Sequence, residues 1–128
     1  MKKRTLLVFG VIVLVVFAVQ AFAAYDSVAV KKVMRAHAAL LGETSKAAEA
    51  KDFFLAAEKL MDNAKLFQSV VGMTPKKGSE AEWKRIVSGM IKASFKGIGA
   101  CGEENAGGVT AAIGELKALK KEGHKMFK

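Results

Sequence analysis

The sequence predicts an all-α protein, an antiparallel up-down-up-down four-helix bundle preceded by a signal peptide. Three observations carry this. The chain opens with a basic, then apolar, then small-residue leader. Four later segments repeat apolar residues every three or four positions. A Pro-Gly turn divides those segments two and two. With 128 residues the chain has room for one domain, and after Ala24 almost no stretch alternates apolar and polar residues as a strand would.

Residues 1–23 read as the signal peptide. Met1–Thr5 (MKKRT) is the positive n-region and Leu6–Val19 (LLVFGVIVLVVFAV) the apolar h-region. Ala21-Phe22-Ala23 puts small side chains at the two positions a signal peptidase tests, so cleavage is expected before Ala24. An uncleaved anchor is the competing reading, since Leu6 to Ala24 is about long enough to span a bilayer. Gln20 and the Ala-x-Ala site, lying where an anchor should still be apolar, argue against it. No cysteine follows the h-region, which excludes a lipoprotein signal. The Met-Lys-Lys-Arg opening has a bacterial character, so the expected location is the periplasm, with no membrane attachment after cleavage.

Residues 24–128 form the expected bundle. Asp26 or Ser27 can cap a first helix with the stripe Val30, Val33, Met34, Ala38 and Leu41; Gly42 and Thr44-Ser45 weaken the pattern without ending it. Asp52 precedes the clearest stripe: Phe53, Phe54, Ala57, Leu60, Met61, Ala64, Phe67 and Val71, closed by Gly72. Met73–Gly78 (MTPKKG) is the central turn. Ser79-Glu80-Ala81-Glu82 follows as a capping box, the serine taking the amide of Glu82 and the glutamate reaching back. A third helix carries Trp83, Ile86, Val87, Met90, Ile91 and Ile98, weakened by Gly97, Gly99 and Gly102. Gly107-Gly108 is expected to break it. The fourth segment carries Val109, Ala112, Ile113, Leu116, Leu119 and Phe127, and its lysines, Lys117, Lys120, Lys121, Lys125 and Lys128, gather where cations oppose the helix dipole.

Composition excludes several functions. The single cysteine, Cys101, rules out an intrachain disulfide framework and any zinc site built from several thiolates. It is expected as a small buried residue, although an odd thiol in an oxidising compartment can also join two chains. The chain carries 21 Lys and Arg against 12 Asp and Glu, a formal charge of +9. The leader holds Lys2, Lys3 and Arg4, and the remaining lysines are spread over several helices without interleaved exposed aromatics, so a nucleic-acid surface is not expected. Their use is solubility or docking to an acidic partner. There is no Gly-x-Ser-x-Gly turn, Gly-rich phosphate loop or His-Glu-x-x-His helix. Enzymatic activity is not expected.

The C-terminal run Lys120-Lys121-Glu122-Gly123-His124-Lys125-Met126-Phe127-Lys128 is more specific. A histidine followed three residues later by an aromatic and then a cation, ending the last helix of an exported four-helix chain, resembles the cytochrome c-prime family. There the same helix reads Cys-x-x-Cys-His-x-x-Tyr/Phe-Arg/Lys. Lys120 and Gly123 stand at the cysteine positions here, so covalent c-type haem is excluded at this position. The b-type four-helix cytochromes are built alike, end in a similar motif and hold haem without thioethers. The resemblance implies a non-covalent haem b with His124 and Met34 as axial ligands of the iron, electron transfer as the activity, and a periplasmic redox partner. It also places an aromatic soon after the central turn, where Trp83 stands.

The residues alone leave other readings open. His124 lies on the flank of its apolar face, and a histidine in a last turn also serves as a C-terminal cation. Met34 sits mid-stripe, where methionine is ordinarily core filler. His37, one turn later on the same flank, can replace Met34 as a ligand. Trp83, Phe53, Phe54 and Phe67 are expected in the core, or around a haem. The alternative function is a haem-free bundle that kept the fold as a binding or sensing module after losing the attachment cysteines, with a homodimer as a further possible assembly.

Overall fold

A computed structural model describes residues 24–128; the predicted signal peptide and its cleavage before Ala24 concern residues outside that range. Four helices follow in order: α1 (Ser27–Glu49), α2 (Phe53–Gln68), α3 (Glu80–Gly102) and α4 (Ala106–Phe127). Among the described residues there is no strand element. Successive helices pack on one another, and α1 also touches α4, though that seam is the thinnest of the four. The all-α bundle is therefore present. No helix among the described residues is long and apolar enough to cross a membrane.

Each helix starts on a side chain that accepts from its first-turn amides. Asp26 takes Val28 and Ala29, Asp52 takes Leu55, Ser79 takes Glu82 at 3.1 Å and Asn105 takes Gly108. The reciprocal half of the predicted capping box is absent, because Glu82 pairs forward with Arg85. Arg85 also reaches Glu122 on α4.

The α1–α2 and α3–α4 joins use one device. A residue in the left-handed region, Lys51 (φ 56°) or Glu104 (φ 54°), turns the chain and is followed at once by the next cap, Asp52 or Asn105. This corrects the expected break at Gly107-Gly108. The chain turns earlier, at Glu103–Asn105, and the two glycines lie in the first turn of α4. Gly108 serves close approach instead, since a Cβ there would come within 2.8 Å of Ala100 Cβ. Gly42 and Thr44-Ser45 do not interrupt α1: the Thr44 hydroxyl donates back to the Leu40 carbonyl within the helix.

The core holds Val33, Leu41, Ala56, Leu60, Phe67, Trp83, Val87, Met90, Val109, Ile113 and Leu116 among others. Leu60 and Leu116 are fully buried. Two stripe expectations fail on α2. Phe54 is 94% exposed and Met61 stands at the rim, because α2 ends at Gln68 and turns a narrower face inward than its apolar residues suggest. Val70, past the helix end, is buried instead. Cys101 is buried as expected, and burial pushes its thiol pKa up.

Candidate functional site

The end of the bundle where α1 begins and α4 finishes is built from aromatic rings. Trp83, in the first turn of α3, donates its indole N–H to the Val70 carbonyl at 3.0 Å. Its ring meets Tyr25 edge to face at 6.2 Å and Phe127 at 5.1 Å. The central turn closes against the same end: Gly78 adopts φ +87° and lies so near the Phe127 ring that a Cβ would stand 3.0 Å from it.

These rings enclose a cavity of about 100 Å³. Met34 lines it from α1 and His124 from α4, with Phe67, Trp83, Met90 and Phe127 among the other walls. The two side chains singled out in the sequence thus share one apolar space. Burial pushes the His124 pKa down, and the nearby Lys128 and Lys120 add to the effect, so its imidazole is neutral at pH 7 with a lone pair to give. Gly123, at one of the absent cysteine positions, packs against Ile86: a Cβ would lie 3.3 Å from Ile86 Cγ2.

An imidazole and a thioether facing one apolar space are a chemically suitable donor set for haem iron, and the aromatic walls suit a porphyrin face. The volume sets a condition. At about 100 Å³ the cavity is smaller than the roughly 300–1,000 Å³ of pockets that enclose drug-sized ligands. A group as large as haem enters only if rings such as Trp83 and Phe127 swing aside. Among the described residues, no cluster of three or more His, Cys, Asp or Glu could hold a metal ion.

Beside the cavity, along the thin α1–α4 seam, runs an open groove. Ala38, Leu41 and Gly42 form its α1 side and Lys117, Lys120, Lys121 and Lys125 its α4 side; Lys120 and His124 line both spaces.

His37, expected on the same flank as Met34, lies deeper than Met34 does. It is fully buried, and a chain of hydrogen bonds across three helices holds it. The Met90 carbonyl can only accept, so the Ser94 hydroxyl donates to it at 2.8 Å. Ser94 Oγ then accepts from the Asn63 amide nitrogen at 2.9 Å. That orients the Asn63 carbonyl oxygen toward His37, whose Nδ1–H donates to it at 2.7 Å. The neutral ring therefore carries its hydrogen on Nδ1 and a bare lone pair on Nε2. His37 Nε2 has no hydrogen-bond partner. Desolvation lowers the His37 pKa against the opposing Asn63 bond, with smaller contributions from Lys120 and His124. Asn63 and Ser94 were missed. Their signal was a polar residue at the core spacing of α2 and of α3, facing a histidine at the core spacing of α1.

No known protein family, no curated protein and no solved structure matches this chain. The functional reading therefore stands on the residues and their geometry.

Proposed function

We propose that this chain is a periplasmic cytochrome c-prime-like protein, exported by its leader, that binds a non-covalent haem b and transfers electrons. One observation supports the reading above others: Met34 and His124, from the first and last helices, line one apolar cavity. The short α1–α2 and α3–α4 joins and the cyclic order of helix contacts accord with an antiparallel up-down-up-down bundle, which brings the start of α1 beside the end of α4.

A bound haem would supply the one-electron couple between ferric and ferrous iron. The chain's own residues have four tasks. His124 would offer a neutral imidazole, and Met34 a thioether from the neighbouring helix α1. Trp83, Phe67 and Phe127 keep water from the site, which together with ligand identity sets the potential. Lys120 and Lys128, which line the cavity, would supply positive charge beside an anionic group. The reading has no chemical transformation of a substrate, so the protein is not an enzyme, and its partner is a periplasmic redox protein.

Titrating the purified mature chain with hemin tests this. A 1:1 complex is expected, with a low-spin spectrum weakened by His124→Ala. Its haem should be fully extractable by acid and organic solvent, because no sulfur tethers it. Weak, non-stoichiometric hemin association that is unchanged by His124→Ala would reject the reading. The cavity volume favours a second reading in that event: a haem-free bundle that takes a small apolar ligand, detected by Trp83 fluorescence.

A further inference from the structure

We infer that the aromatic cavity and the lysine-rimmed groove beside it form one binding site for a small amphiphilic carboxylate, with its alkyl tail among Phe67, Trp83 and Phe127 and its carboxylate at the Lys120 ammonium. This goes beyond the haem reading and does not depend on it, because such a ligand uses the cavity at its present size.

Volume and lining decide the tail. An apolar cavity of about 150 Å³ takes up benzene, so the space of about 100 Å³ between these rings accepts an alkyl chain of about four carbons. Val33, Met34, Val87 and Leu119 complete walls that offer close apolar contact. The one indole N–H among them is already given to the Val70 carbonyl. A polar head therefore has to lie where the lining changes character, and the cations of that lining are Lys120 and Lys128.

Charge decides the head. Lys117, Lys120, Lys121 and Lys125 line the α4 side of the groove, along about 12 Å of helix. The α1 side is small and uncharged, and a Cβ added at Gly42 would meet nothing within 4 Å. Among the described residues, no Asp or Glu lines either space. The two acidic residues of α4 both turn to α3 instead, Glu115 pairing with Lys96 and Glu122 with Arg85. The four groove lysines have no ion pair among the described residues. Their field reaches inward: burial does most to lower the pKa values of His124 and His37, and Lys120 lowers both further. Of the four, Lys120 alone also lines the cavity. A half-buried lysine lays its stem along apolar surface and keeps its ammonium toward water, so Lys120 can meet a carboxylate whose tail lies inside. The groove, at about 630 Å³, also admits a head larger than a bare carboxylate.

Trp83 is the only tryptophan in the chain, so its emission reports this site without interference. Pentanoate added to the mature chain at pH 7.5 should shift that emission saturably, with one site per chain. Affinity should rise about fourfold for each CH2 from propanoate to pentanoate and level off at longer chains, once the cavity is full. Pentanamide, which has the same tail and a neutral head, should bind about tenfold more weakly or worse, and pentylammonium should not bind. Lys120→Met keeps the apolar stem and removes the charge: pentanoate affinity should fall to that of pentanamide, whose own binding should stay within about twofold. Lys92→Met, on the exposed face of α3 and outside both spaces, should change neither. Circular dichroism establishes that each variant is folded, and the wild-type head-group and chain-length series decide the matter even where Lys120→Met does not fold. Equal binding of pentanoate and pentanamide would overturn the inference by showing that charge is not recognised. Affinity independent of chain length would overturn it by placing the anion on surface lysines alone, and an unchanged Trp83 emission would overturn it outright. The hemin titration is a separate measurement, so the haem reading stands or falls apart from these results.

Discussion

The two ends of the bundle are packed by opposite means. At the end where α3 passes into α4, small residues bring backbones together. A Cβ on Gly97 would stand 2.6 Å from Leu60 Cδ1 and 3.2 Å from Ala112 Cβ, and Gly108 lies as tightly on Ala100. At the other end, Tyr25, Trp83 and Phe127 prop the helices apart around a cavity. Glycines weaken a helix taken alone by up to about 1 kcal/mol each, yet at the close end they permit contacts that no larger residue allows. The rings do the reverse: they bury much area but leave a gap beside them. The contrast puts the closest packing at the glycine end and the open space at the aromatic end, and His37 with its network lies between.

The largest effect should come from putting a charge at the close end. Leu60 is fully buried and touches the α3 backbone at Gly97, so Leu60→Asp leaves an unpaired carboxylate with no route to water. A loss of about 4 kcal/mol or more is expected, enough to unfold a domain of this size. Circular dichroism with wild-type helicity and melting temperature would show that the close end does not carry the stability.

Removing the polar network is expected to cost less. Asn63→Leu strands the His37 Nδ1–H and takes from Ser94 Oγ the N–H it accepts, so a loss of about 1–3 kcal/mol should appear in urea unfolding. An unchanged midpoint would mean that water replaces the amide and that the region between the ends is wetter than its burial suggests.

Gly97→Ala sharpens the comparison further. It adds one methyl where about 2.6 Å is available, and overpacking of this kind costs about 1–3 kcal/mol, less whatever helix propensity returns. Combined with Leu60→Ala, which removes the clashing atoms, the two substitutions should be strongly non-additive in a double-mutant cycle. Additivity would show that Gly97 is tolerated rather than required.

Part of this was legible in the sequence. The caps Asp26, Asp52 and Ser79 and the core stripes of α3 and α4 follow from spacing and side-chain type, whereas the pairing of Met34 with His124 came from a family resemblance and the Asn105 cap was not read. Phe54 misled because periodicity records which residues are apolar and not how wide a face the neighbours cover. The break assigned to Gly107-Gly108 failed because glycine has two uses, turning a chain and admitting a neighbour, and one sequence does not distinguish them. The His37–Asn63–Ser94 relay was invisible for another reason: its three members are 26 and 31 residues apart, and each looks like an ordinary polar residue until the helices bring them together.

The smallest effect expected is the pH dependence of the region between the ends. His37 has its pKa lowered, chiefly by burial, and so does His124, which is less deeply placed. A histidine whose folded pKa lies below its unfolded value of about 6.5 binds protons preferentially in the unfolded chain. Stability is therefore fully present above that pH and is lost as pH falls through 6.5 toward the folded values. The melting temperature measured between pH 7.5 and 5.5, an interval that spans the ordinary histidine range, follows this loss. It should be smaller than the effect of any substitution above, and most of it should vanish in His37→Gln, because Lys120 and His124 already oppose a proton on His37 while Asn63 and Ser94 bring no negative charge to balance it. A wild-type melting temperature that is flat or rises on acidification would mean that His37 finds a hydrogen-bond acceptor for its second N–H.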